Sequence, residues 1–65
     1  MLETNNEYFE YEGIYYFVDN IYWGELSGGF FVGIAFKVSN LESCVFPEKI
    51  KIRKVSREEA IIDAL

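Results

Sequence analysis

The sequence predicts an α+β domain: a small, twisted antiparallel sheet or open barrel of about five strands with a short C-terminal helix. Three observations predict it. Short runs rich in aromatic and β-branched residues are separated by turn pairs. After Val55 the apolar period changes to that of a helix. And 65 residues leave room for one domain only. A chain of this length buries about 60% of its unfolded surface, so large side chains must supply the core. Twelve aromatics do so, and eleven of them lie between Tyr8 and Phe36.

Residues 1–7 read as a polar, acidic tail and residues 8–65 as the single β-rich domain. Tyr8 to Tyr11 is the first strand, closed by a tight turn at Glu12-Gly13. Ile14 to Val18 is the second, followed by the turn pair Asp19-Asn20, whose side chains can both cap their own backbone. Ile21 to Leu26 is the third, and Ser27-Gly28-Gly29 is the clearest turn in the chain. Phe30 to Val38 is the fourth and longest strand. Ser39 to Ser43 is a loop, Cys44-Val45-Phe46 a short extended piece, Pro47 an edge or bend, and Lys49 to Val55 the last strand. Ser56-Arg57-Glu58-Glu59 has the form of a capping box and opens a helix over residues 57–65, with Ile61, Ile62 and Leu65 as its apolar face.

Alternation then sorts side chains to faces. In the fourth strand Phe30, Val32, Ile34, Phe36 and Val38 form the core set, opposed by Phe31, Gly33, Ala35 and Lys37. Ile14, Tyr16 and Val18 oppose Tyr15 and Phe17; Ile21 and Trp23 oppose Tyr22, Gly24 and Leu26. Each central strand is apolar on both faces, which a one-sided meander does not require. Either the helix covers the second face, or Tyr15, Phe17, Tyr22 and Phe31 form an aromatic patch for a partner, with Glu12, Asp19 and Glu25 as its acidic rim.

The net charge of −5 is unevenly laid out. Residues 1–48 sum to −7, residues 49–57 to +5 and the last eight to −3. Lys49, Lys51 and Arg53 alternate with Ile50 and Ile52, which places the isoleucines inward. The cations could track phosphates, but Glu10 and Glu12 alternate in the same way. A solvated edge that blocks edge-to-edge aggregation and cross-strand ion pairs between the first and last strands are together the stronger reading. The tyrosines have acids as neighbours, which opposes a base-stacking platform and duplex DNA binding.

Catalysis and metal binding have little to stand on. Histidine is absent, Cys44 is the single cysteine, and neither Glu10/Glu12 nor Glu58/Glu59 has further ligands at a fixed spacing. No enzyme activity, cofactor or metal is therefore expected. No stretch reads as a membrane span or a basic signal peptide, and one unpaired thiol suits the cytoplasm of a producing or host cell. In size, acidity and aromatic content the chain resembles the small inhibitor proteins of phages and mobile elements. The likeness is one of composition and size, not of motif. It implies occlusion of a host enzyme's surface, including nucleic-acid enzymes, sometimes by imitation of DNA. The expected function is thus non-enzymatic binding to another protein. A small RNA- or single-stranded-DNA-binding barrel using residues 49–57, and a homo-oligomeric structural subunit, are the alternatives.

Overall fold

Two pairs of left-handed residues set the hairpins. Glu12 and Gly13 have φ of 53° and 82°, Gly28 and Gly29 of 59° and 84°. Paired positive φ values match the twist of the strands they join, and glycine takes them without steric cost. In the computed structural model, which describes residues 6–19 and 24–64, these turns connect β1 (Glu7–Tyr11) to β2 (Ile14–Val18) and β3 (Gly24–Ser27) to β4 (Phe30–Lys37). Then follow β5 (Ser43–Lys51), β6 (Arg53–Val55) and the helix α1 (Arg57–Ala64). Ile21, Tyr22, Trp23 and Leu65 lie outside the described residues.

All pairings are antiparallel, and the sheet runs β3-β4-β2-β1-β6 with β5 also on β4. β5 pairs with β4 from Phe30 to Phe36, and β3 with its first half, Phe30 to Gly33, so the two occupy its opposite edges; β2 continues along β3's edge at Phe36 and Lys37. β5 and β6 are one run of chain broken at Ile52, where it leaves β4 and joins β1. Counted as one strand, they complete a five-stranded half-barrel with the helix at its C-terminal end. The Ile52 amide donates to the carbonyl of Gly29 at 2.8 Å, which pins the crossing to the β3–β4 turn.

The last strand is therefore longer than expected, because Pro47 does not end it. Between the pairs Phe31↔Ile50 and Gly33↔Phe46, β5 spends two more residues than β4. Proline has no amide to donate, and it falls in this bulge, where no ladder bond is lost. Two extra residues preserve the alternation, so Phe46 and Ile50 face the same side.

That side is the core. Phe9 and Phe31 are fully buried, joined by Tyr16, Ala35 and Ile52, with Tyr11, Val18, Leu26, Cys44, Phe46 and Ile50 against them. Phe46 is the hub: it meets Phe9, Tyr11, Tyr16 and Phe31 edge-on at centroid distances of 5.3–6.4 Å. The expectation for β4 is thereby reversed. Phe31 and Ala35 point inward, while Phe30 is 42% exposed. Volume explains the reversal. The concave side already receives rings from β1, β2 and β5, and Gly33 and Ala35 leave room for them where isoleucine and valine would overfill it. At Gly24 a Cβ would stand 3.2 Å from the Phe31 ring, so that glycine also makes space for a core aromatic.

The basic strand follows expectation. Ile52 is buried, Ile50 is half-buried, and Lys49, Lys51 and Arg53 are exposed. Arg53 Nε donates to Glu10 Oε1 at 3.2 Å, and Lys54 stands 3.2 Å from Glu7, the cross-strand pairing of first and last strands. Arg53 Nη2 also donates to Glu59 Oε2 at 2.9 Å. Because α1 packs on β1 and β2, this shared arginine places the helix on the convex face that carries Glu10. The helix starts as expected, with the Glu59 amide donating to Ser56 Oγ at 3.1 Å. The Glu59 carboxylate goes to Arg53 instead of returning to Ser56. Its docking face differs as well: Ala60 is fully buried, whereas Ile62 is 67% exposed. A small residue lets the helix lie close to a face already filled by rings.

Candidate protein-binding face

The convex side divides into two areas. On β1 and β2 it carries Tyr8, Glu10, Tyr15 and Phe17, beneath or beside the helix. On β3, β4 and β5 it carries Phe30, Val32, Ile34 and Phe36 along the central strand. Val45 stands opposite Ile34, Lys51 opposite Phe30, and Glu25 opposite Val32. Val45 is 65% exposed, and Val32 and Ile34 are half-buried. The result is an apolar strip with an acid on one side and a cation on the other.

At the far end of the strip lies a hollow of about 240 Å³ lined by Phe17, Asp19, Phe36 and Leu41. Phe17 and Phe36 are direct cross-strand partners and stack at 5.5 Å with 24° between ring planes. Tyr8 flanks Phe17 at 6.1 Å. Leu41 closes the opposite wall. It is 66% exposed and held at φ 61°, a left-handed conformation unfavourable for a branched residue. Its amide donates to the Lys37 carbonyl at 2.8 Å, and the Lys37 amide to the Glu42 carbonyl at 2.9 Å. Asn40 Oδ1 accepts from the Glu42 amide at 2.9 Å, and Lys37 Nζ stands 3.5 Å from Glu42 Oε1. This network fixes the turn and with it the leucine.

Of the expected patch, the structure brings Phe17 and Asp19 together in the hollow. Glu25 lies on the same convex surface, beside Val32. Phe31 is core and takes no part in any surface. Tyr22 lies outside the described residues. Tyr15 is half-buried opposite Glu10, and its carbonyl accepts from the Val38 amide at 3.0 Å. Glu12 sits in the β1–β2 turn, at the end of β2 remote from the hollow. Alternation alone did not reach Phe30, Phe36, Val45 and Leu41. The available signal was Leu41, a large apolar residue inside the polar loop Ser39 to Ser43.

Among the described residues, Glu10 is an acid whose protonation its neighbours tune. Donation from the Gly13 amide to its carboxylate at 2.7 Å, and then from Arg53, holds its pKa below the ordinary carboxylate range. Burial pushes the Tyr16 hydroxyl up. Among the described residues, no group of three or more His, Cys, Asp or Glu side chains is placed to hold a metal ion. Among the same residues no helix is long and apolar enough to cross a membrane. No family model, curated protein or solved structure matches the chain.

Proposed function

We propose that this chain is a non-catalytic protein-binding module that uses the convex face of β4 and its hollow to occlude a basic surface of another protein. The observation that carries the reading is the outward set Phe30, Val32, Ile34 and Phe36, continued by Val45 and Leu41. A lone soluble domain gains nothing from keeping such a strip in water, whereas an interface gains its apolar centre. The net charge of −5 favours a basic partner and speeds encounter with it. Among the cations of residues 49–57, Arg53 and Lys54 are engaged by the chain's own acids, which weakens a phosphate track and supports protein over nucleic acid. A small acidic regulator acting on a nucleic-acid enzyme is the form of this reading that fits best.

Self-association is a second reading, favoured by one feature. Glu25 and Lys51 flank the strip on opposite sides, so a two-fold axis along β4 brings each toward its opposite number on a second copy. Native mass spectrometry of the protein purified from its own cell, with and without Val45→Lys, tests both. A heterologous protein that is lost in the variant supports the module; a dimer that is lost supports the second reading. A bound oligonucleotide, or a bound protein retained at full occupancy in the variant, contradicts both.

A further inference from the structure

We infer that the partner carries an acidic element, two or more carboxylates at the margin of its otherwise basic contact surface, and that this element sits over Lys49 and Lys51. The inference rests on the protein-binding reading and states what chemistry the partner brings to one side of the apolar strip. Lys51 stands opposite Phe30, and Lys49 lies two residues before it on the same outward face of β5. Both are exposed, and among the described residues neither forms an ion pair with an acid of the chain. Their neighbours in the basic run differ: Arg53 is held by Glu10 and Glu59, and Lys54 by Glu7. Lys49 and Lys51 are thus left open beside the strip, in a chain of net charge −5.

Covering the strip takes water from both ammonium groups, and a cation left without a counter-charge in a closed contact is unfavourable. A uniformly basic partner would meet the lysines with like charge. A polyanion such as nucleic acid would satisfy them but would also meet Glu25, which flanks the strip on the other side, opposite Val32. The two edges are two strand spacings apart, about 10 Å. On a folded protein, carboxylates can be confined to the lysine edge while cations face Glu25; a phosphate chain carries one sign throughout. The acids of the chain draw a basic partner in, and Lys49 and Lys51 set which way round it docks.

The test is an NMR titration of the isotopically labelled chain with acetyl-Glu-Ala-Glu-amide at low salt, whose carboxylates have the two-residue spacing of the lysines. The peptide acetyl-Gln-Ala-Gln-amide serves as the comparison. The expected result is a saturable shift centred on the amides of Phe30, Val45, Lys49 and Lys51, about fivefold weaker or more with the glutamine peptide or in Lys49→Gln/Lys51→Gln. No saturable shift, equal shifts with the glutamine peptide, or shifts centred on Arg53 and Arg57 instead overturn the acidic element. A single-stranded oligonucleotide that displaces the peptide from the same amides at physiological salt gives the lysines to phosphate and overturns it too. So does a dimer of the free chain that Lys51→Glu breaks and Lys51→Glu/Glu25→Lys restores, which gives them to a second copy. Failure of the element and failure of the binding reading are separable. If binding of the captured partner is lost in Val45→Lys but unchanged in Lys49→Gln/Lys51→Gln, the face stands and the acidic element does not.

Discussion

The two faces of β4 carry apolar residues in opposite proportion to their burial. The convex face holds Phe30, Val32, Ile34 and Phe36 and is partly open to solvent; the concave face holds Phe31, Gly33, Ala35 and Lys37 and bounds the core. The more hydrophobic face is the outer one. In a half-barrel of this radius the inside is filled by rings converging from several strands, so the central strand contributes small residues there. Hydrophobicity that the core does not need is then available to the surface, and that surplus marks the proposed binding face.

The largest effect that can break this comparison is a truncation on each side. Phe31→Ala should lower stability by about 3–5 kcal/mol and Phe30→Ala by no more than about 1 kcal/mol, read from chemical denaturation. Equal losses would mean that the two faces are equally buried. Phe46→Ala, which removes the hub of four ring contacts, should behave like Phe31→Ala. The helix side gives the next effect. Ala60→Leu forces a larger side chain into the fully buried contact with β1 and β2 and should cost about 1–3 kcal/mol. Ile62→Ser, on the exposed side of the same helix, should leave the midpoint unchanged. Ser56→Ala should cost about 1 kcal/mol through the lost cap to the Glu59 amide.

The smallest effect is a pH dependence. The Glu10 pKa is lower in the folded chain than in the unfolded one, so its contribution to stability is complete above the ordinary carboxylate range. It is lost as pH falls through the depressed folded value. Glu10→Gln should therefore be less stable than the parent at neutral pH and should converge with it in acid. Parallel curves from neutral pH into acid would show that the Gly13 and Arg53 contacts are not made in solution.

Much of the fold was legible because its signals are local. The turns at Glu12-Gly13 and Gly28-Gly29, the cap at Ser56, and the pairing of Glu10 with the basic strand each follow from residue types at short spacing or from strict alternation. The orientation of β4 was not legible. Period two separates its faces but does not say which is inward when both are apolar, and the answer depends on rings from β1, β2 and β5. Pro47 misled for a similar reason: the sequence shows a missing donor, and only the bulge shows that none was needed there. In the helix, the apolar period points to Ile61 and Ile62, yet Ala60 is the buried residue, since closeness of approach, not side-chain size, decides what buries. Of the site, Phe17, Asp19 and Glu25 could be read from aromatic and acidic placement. Phe36 and Leu41 could not, because alternation places one with the core set and the polar residues around the other read as a loop.

The most direct test of the central claim is hydroxyl-radical footprinting of the chain alone and in complex with its captured partner. Phe30, Leu41 and Val45 should react in the free chain and become shielded in the complex, while Ile14 and Ile62, exposed elsewhere on the molecule, keep their reactivity. Shielding of Ile14 or Ile62 with Phe30, Leu41 and Val45 unchanged would contradict the assignment of the convex face of β4 as the binding surface.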